Sequence, residues 1–513
     1  MEQIDLKHLI EQHPEVLTDG TKLKAYILDL YPQCKRGMVN ILVAIQQCGI
    51  VAEMQASKNP TTLDMSRWKK VLDDDYGFAG ATAETCLQMW CSAIGIQEKE
   101  KAKSTATSIS PELQNSQKDW FEYYGTTLLG LKEEYQEYDG AIYVPYGVES
   151  IGKSAFEGCS SLTSIAIPDS VERIDDCAFL GCIGLTSIAI PDSVESIGDS
   201  AFYCCPGLTS ITIPDSVESI GGKAFYGCTG LTSITIPDSV ESIGSYAFCG
   251  CSGLTSIKVA SRNADYHSQG NCVIETANKV LVLGCKTSTI PDDGSVTSIG
   301  YSAFSGCTGL TSITIPDSVE SIGDCAFSGC TGLTSIAISN SVESIGGNAF
   351  SGCTGLTSIA IPDSVESIGG YAFNGCTGLT SIAIPDSVDS IGCRVFEGCT
   401  GLTSIAIPDS VERIDDCAFL GCTGLTSITI PNSVESIGGY AFNGCTGLTS
   451  ITIPDSVTKI EQYVFNKCQS LEKIIFQGTK AQWKAIEKYD KWNLNTGSYV
   501  VHCTNGDISK NES

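Results

Sequence analysis

The chain has 513 residues, with 31 Lys and Arg against 59 Asp and Glu, a formal charge of −28 at pH 7. That balance excludes a nucleic-acid binder working through basic phosphate contacts, and 42% hydrophobic residues with 52 Gly exclude a disordered chain and describe a foldable, turn-rich one. The 26 Cys are too dilute at this length to staple a small disulfide scaffold, so most are expected as reduced thiols.

The chain opens Met1-Glu2-Gln3-Ile4-Asp5, with no basic n-region and no apolar run of signal length behind it. The longest apolar stretch, Met38 to Ile45, is too short to span a bilayer. The expectation is a cytoplasmic protein, with leaderless export to the surface as the alternative. Residues 1–96 follow helical spacing: Leu23, Ile27 and Leu30, then Met38, Ile41, Leu42 and Ile45, then Ala83, Leu87, Trp90 and Ile94, with Gly49 and Gly95 as stops. This predicts a small all-helical module. Its Leu30-Tyr31-Pro32 and Trp68 to Gly77 segments look similar to a helical module joined to varied partners in bacterial multidomain proteins. Residues 97–119, rich in Ser, Thr, Lys and Glu, read as a polar linker.

From residue 120 the grammar changes. Phe121 to Leu131 predicts a hairpin around Gly125-Thr126, followed by a first strand at Ala141 to Val144, which together cap an array. The array is a repeat: Leu recurs at 162, 185, 208, 231 and 254, then from 310 to 471, always 23 residues apart within each block. A fixed period of this kind means a solenoid. In the unit Leu231 to Gly253, the spacing Leu-x-x-Ile-x-Ile sends Leu231, Ile234 and Ile236 inward and Ser233 and Thr235 outward. Pro237 ends the strand because it has no N–H for a ladder, and Val240, Ile243, Ala247 and Phe248 turn back inside. One unit buries too little to offset the entropy of ordering it, so stability belongs to the stack and its caps.

The recurring Ile-Pro-x-Ser-Val-x-x-Ile-Gly-x-x-Ala-Phe-x-Gly-Cys resembles the BspA-like, or Treponema pallidum type, leucine-rich repeat family over residues 140–508. The resemblance implies a leucine-rich repeat solenoid with a parallel β-sheet and, in exported members, attachment to host matrix proteins or other cells. Where many leucine-rich repeats carry Asn after the strand this chain has Ser, as at Ser239 and Ser318, so a hydroxyl column is expected to satisfy the turn backbone. Between Leu254 and Leu310 extra residues near 260–286 predict a hairpin projecting from the solenoid, built from Val273-Ile274 and Val280 to Leu283. Residues 120–471 are thus the solenoid. Residues 472–508, with a strand at Lys473 to Phe476, a short helix through Trp483 and a strand at Tyr499 to Cys503, resemble the family's α/β terminal cap, and 509–513 form a tail.

Candidate chemistry is sparse. The Gly-Cys column, from Cys159 to Cys468, forms a cysteine ladder whose stacked side chains run parallel about 4.8 Å apart, whereas a disulfide needs sulfurs at about 2.05 Å on converging Cβ vectors. Small buried thiols are expected, and neither metal nor cofactor. The Asp column at Asp169, Asp192, Asp215 and Asp238 lacks the glycine pattern of calcium-binding β-rolls and is read as turn capping. His8, His13, His267 and His502 are scattered, without a second ligand or nucleophile at a recognisable spacing, so no catalytic residue is assigned and no enzyme is expected.

The outward strand positions are small and nearly uniform: Ser at the third position from Ser164 to Ser450, and mostly Ala or Thr at the fifth. They offer no aromatic or Arg anchor, and a repetitive ligand such as a glycan or an ordered lattice is what such a surface suits. Diversity lies in the residue before Ala-Phe, which supplies Tyr246, Tyr371, Arg394, Tyr440 and Tyr463, and in the insertion, which supplies Tyr266 and His267. These are the candidate ligand-binding residues, and the partner class is protein. Residues 168–182 and 408–422 are identical, which indicates duplication and tolerance of changed length. The chain reads as a non-enzymatic protein-interaction scaffold with the helical module as adaptor. The alternative is a surface or secreted adhesin of the BspA-like type.

Overall fold

The computed structural model describes residues 6–17, 19–30, 36–47, 50–51, 86–87, 90, 117–138 and 141–512. The chain divides into two compact units, Met1–Ser108 and Ile109–Ser513. In the first, helices run Leu6–Gln12, Gly20–Leu30 and Arg36–Gln47. Asp19 caps the second, its Oδ1 accepting the N–H of Thr21 at 3.0 Å and of Lys22 at 3.1 Å. Leu23, Ile27, Ile41, Leu42 and Ile45 are buried together with Leu87 and Trp90, and the Trp90 indole donates to the Leu42 carbonyl at 3.0 Å. Leu6 and Leu9 join this core from a helix the spacing did not announce, whereas Leu30, expected inside, ends its helix 53% exposed. The Met38 side chain, Gly49, Tyr31-Pro32, Trp68 to Gly77, Ala83, Ile94, Gly95 and linker residues 97–116 lie outside the described residues.

The second unit is a parallel β-solenoid. One ladder is the expected one: Ser233–Ile236 pairs in parallel with Ser256–Val259, with Ser233 opposite Ser256, Ile234 and Ile236 buried and Ser233 and Thr235 exposed. A second ladder was not anticipated. It is made of two-residue strands such as Ser219–Ile220 and Ser242–Ile243, paired in parallel in every neighbouring coil of the first half. Glycine permits this packing, since a Cβ on Gly221 would stand 2.5 Å from the carbonyl carbon of Gly198 in the coil before. A strand of two residues has no alternation to read in the sequence, which is why it escaped.

Between the ladders, each turn is tied to its neighbours by columns of identical bonds. Phe156, Phe179, Phe202, Phe225 and Phe248 stack with ring centroids 5.2 to 5.3 Å apart, and a second stack runs from Phe304 to Phe465. The hydroxyl column forms as expected: Ser239 Oγ donates to the Val217 carbonyl at 2.7 Å and Ser216 to Val194 at 2.6 Å. After the insertion the column lapses, the buried Oγ atoms of Ser295 and Ser318 lacking a partner among the described residues, and it resumes at Ser364, which donates to the Val342 carbonyl at 2.7 Å. In the regular coils the serine bonds the turn, and the Asp169, Asp192 and Asp215 side chains face solvent; of the expected aspartate column Asp238 does cap backbone, its Oδ1 accepting the Arg262 N–H of the insertion at 2.8 Å.

The insertion does not project. Tyr266–Gln269, Cys272–Glu275 and Val280–Leu283 form an antiparallel meander whose last strand enters the second ladder beside Ser298–Ile299. Cys272, Ile274 and Leu281 pack into the core that continues to the C-terminal cap, and Val273 and Leu283 into the core that begins at Phe121; Cys272, Val273 and Ile274 alternate as strand residues do, and a bulge opposite Val273 and Ile274 puts Leu283 on the other face from its near neighbour Leu281. The meander is therefore a septum between two separate apolar cores. Its apolar runs, Val273-Ile274 and Val280 to Leu283, look like a free hairpin in sequence because both sheet faces are buried.

Both ends are closed. At the start, Phe121–Tyr124 and Thr127–Leu131 form the hairpin, Ala141–Tyr143 joins the first ladder, and the buried Gln117 side chain covers that strand's edge, donating to the Ala141 carbonyl at 3.1 Å and accepting from Tyr143 N–H at 2.8 Å. At the far end, Lys473–Phe476 pairs with Val500–Cys503, a helix runs Lys480–Ala485 behind the capping box of Thr479 and Gln482, and Gly506–Ser509 forms a last antiparallel strand followed by a 3-10 turn at Lys510–Glu512. Each phenylalanine stack also ends on an aromatic edge: Phe121 meets Phe156 at 6.3 Å and Trp492 meets Phe465 at 6.0 Å, both T-shaped.

Candidate binding surface

The diverse column before Ala-Phe has a backbone cause. Ser154, Cys177, Ser200, Lys223, Tyr246, Ser302, Cys325, Asn348, Tyr371, Arg394, Cys417, Tyr440 and Tyr463 all hold left-handed φ between 54° and 61°. L residues rarely adopt this conformation. In most coils the stack supports it, the N–H of such a residue crossing to a carbonyl of the next coil, as from Cys177 to Asp199 at 2.8 Å and from Tyr371 to Cys393 at 3.0 Å, while Tyr246 and Tyr463 keep the same φ without that bond among the described residues. The column contains no Val, Ile or Thr. β-Branched side chains are the ones that crowd this backbone most, so their absence was the signal in the sequence.

From Tyr371 onward the column is a stripe of large groups, with Cys417 between Arg394 and Tyr440. The Arg394 guanidinium lies 5.6 Å from the Tyr371 ring centroid and donates to both carboxylate oxygens of Glu397, at 3.0 and 3.2 Å. Asn374 donates to Glu397 at 3.2 Å, so the residue after Phe supports the stripe from beside it. Tyr440 stacks on Tyr463 at 4.9 Å, and Lys491 of the C-terminal cap, also left-handed, places its ammonium 5.7 Å from the Tyr463 ring. Tyr371 is 37% exposed, Arg394, Tyr440 and Tyr463 are half-buried, and Cys417 is buried.

The remaining candidates lie elsewhere. The coils of Ser302, Cys325 and Asn348 separate Tyr246 from this stripe, and its hydroxyl accepts from Tyr301 and donates toward the Cys325 thiol at 3.9 Å. Those bonds and burial push the Tyr246 hydroxyl pKa up, so it stays protonated. Tyr266 is buried and works within the fold: its hydroxyl accepts the N–H of Ile243 at 3.2 Å, covering the edge where the second ladder of the first half stops. His267 is half-exposed, its Nδ1 3.0 Å from Thr276 Oγ1. The structure does not bring Tyr266 and His267 to the Tyr371 stripe.

The strand faces stay uniform, with Ser358, Ser381 and Ser404 exposed beside Ala360, Ala383 and Ala406. The Gly-Cys thiols point inward and are bonded: Cys182, Cys205, Cys228 and Cys399 each donate S–H to the phenylalanine carbonyl of the preceding coil at 3.1 Å. Burial pushes Cys205 and Cys399 up to about 12, which removes the thiolate that nucleophilic or metal chemistry needs. Among the described residues no group of three His, Cys, Asp or Glu could hold a metal ion, and no helix is long and apolar enough to cross a membrane.

The family description "BspA type leucine rich repeat region" matches residues 149–271, 283–402 and 389–489. Among solved structures, the chain is similar to a leucine-rich repeat protein from Bacteroides ovatus ATCC 8483, at 31% identity over 74% of this chain and 96% of that one, with a TM-score of 0.46. It is also similar to one from Eubacterium ventriosum ATCC 27560, at 25% identity over 68% and 88% with a TM-score of 0.49. The leucine-rich repeat protein of T. pallidum matches at 30% identity over 37% and 90%, with a TM-score of 0.31. A search of the curated proteins finds no match. With the period, the inward Leu and Ile positions and the Gly-Cys turns all accounted for in the coils, the chain belongs to the BspA type leucine-rich repeat family.

Proposed function

We propose that this protein is a non-enzymatic interaction scaffold whose solenoid engages a protein partner through the left-handed stripe from Tyr371 to Tyr463, with the helical module as adaptor to a second partner. The observation that carries this reading is the contrast between two surfaces of one array. The strand columns repeat Ser and Ala, whereas the stripe sets two tyrosine pairings and an Arg–Glu fork on a rigid backbone. Tyr and Arg are the residues that dominate protein interfaces, and a backbone already held in place loses little entropy on binding. Replacing Tyr371, Arg394 and Tyr440 together by Ser should weaken partner binding at least tenfold while circular dichroism and the thermal midpoint hold. Unchanged affinity would sink the assignment.

The compartment this reading favours is the cytoplasm. Cys393 is exposed and Cys177, Cys204 and Cys325 are half-exposed, all as free thiols, which a reducing environment preserves. Protease added to intact cells of the native source should leave the protein whole, with a cytosolic protein as lysis control. Degradation would turn the reading to the surface adhesin.

A further inference from the structure

The septum opens one slot in the array, of about 250 Å³, between the coil of Tyr246 and the coil of Ser302. On the turn side the two coils remain joined, Gly250 N–H donating to the Ser305 carbonyl at 2.9 Å. Toward the sheets the insertion wedges them apart, and Gly284 N–H takes the Ala303 carbonyl at 2.8 Å. In the coil before, Lys223 and Phe225 donate their N–H groups to the Ser245 and Ala247 carbonyls at 2.9 and 2.7 Å, and in the coil after, Ser302 and Phe304 donate to Asp324 and Ala326 at 3.0 and 2.7 Å. The equivalent N–H groups of Tyr246 and Phe248 meet no acceptor among the described residues, and the Tyr301 carbonyl, which stands where Tyr246 would donate, receives no donor. All three residues line the slot. Ser302 lines it too: the residue is 7% exposed and its buried Oγ has no hydrogen-bond partner. The walls are apolar, from Ile243, Val280 and Leu283.

We propose that this slot binds an extended peptide segment of a partner protein, which supplies the rung that the septum displaces. Two backbone donors on alternate residues ask for two carbonyls spaced along one peptide, as in the neighbouring coils, and the open Tyr301 carbonyl asks for a peptide N–H. A peptide carries both; a carboxylate or other anion would leave the acceptor unmet. The apolar walls take one aliphatic side chain beside the backbone, and the paired hydroxyls of Tyr246 and Tyr301 flank it. The proposal rests on the reading of the array as an interaction scaffold and adds a second, backbone-directed site to it, apart from the stripe at Tyr371.

The test uses the full chain and a phage library of random heptapeptides. Enriched peptides should share an aliphatic residue, should slow amide hydrogen exchange at Tyr246 and Phe248 when added as synthetic peptides, and should bind the Ser245→Trp variant at least tenfold more weakly. Ser245 is exposed at the slot, so the indole blocks it without entering the core. Tyr301→Ala, at a side chain 46% exposed, is the second variant and should weaken the same peptides. No enrichment, or peptides that bind both variants as well as the parent, overturns the proposal. A dimer that Ser245→Trp abolishes also overturns it, by assigning the slot to a second copy of the chain. Peptides blocked by the Tyr371, Arg394 and Tyr440 triple substitution, and not by Ser245→Trp, would keep the scaffold reading and discard the slot.

Discussion

Cys399 shows how a residue that looks reactive in sequence is silenced by its place. Its thiol donates to the Phe373 carbonyl at 3.1 Å, and the same bond recurs at Cys353, Cys376 and Cys445. Burial lifts Cys205, Cys353, Cys399 and Cys468 from 9.0 to about 12. The folded array therefore holds these protons more tightly than the unfolded chain, so their contribution to stability is complete below pH 9 and is lost as pH rises from 9 toward 12. Urea midpoints should be nearly flat from pH 7 to 9 and fall steeply above 9, and Cys399→Ala should shallow that fall. A midpoint that stays level to pH 11 would contradict the account. The inward thiol was legible from the period alone. The left-handed backbone was not, because it shows only as residues that are missing from a column, and without coordinates that gap has no stated cause.

At the scale of elements, the caps carry the ends of the stack. Trp492 is 7% exposed and presents its edge to Phe465 at 6.0 Å and to Trp483 at 6.1 Å. Removing the indole leaves a cavity at the last rung, and Trp492→Ala should cost about 3–5 kcal/mol. The septum confines that loss. Phe121 to Ile257 belong to one core and Phe304 to Phe476 to the other, so the loss should appear in the C-terminal half alone. Hydrogen exchange resolved by peptide should show earlier opening of residues 300–508 and an unchanged profile for 120–257. Uniform acceleration of both halves would mean that the two cores unfold as one. The expected strand ladder and both caps were readable because their apolar residues alternate or close on turn signals. The second ladder and the septum were not: two-residue strands carry no period, and a strand buried on both faces reads like any apolar run.

For the whole molecule, the repeat makes an array in which backbone and core are nearly constant, so selectivity has to come from whatever the array leaves variable. Two places qualify, the left-handed stripe and the insertion, and both were visible as departures from the period. Their geometry was not visible. Nothing in the spelling of Tyr266 says that its hydroxyl covers the Ile243 N–H, or that Arg394 is held by Glu397. The most direct test of the central claim is to place a photoreactive phenylalanine analogue at position 371 or 440 of the stripe, or at position 358 or 404 of the strand face, and irradiate cells of the native source. All four chains should fold alike, since Ser358 and Ser404 are exposed and the stripe tyrosines are not core residues. A protein adduct is expected from 371 and 440 and none from 358 and 404. Adducts from the serine positions alone would contradict it and place recognition on the uniform strand face.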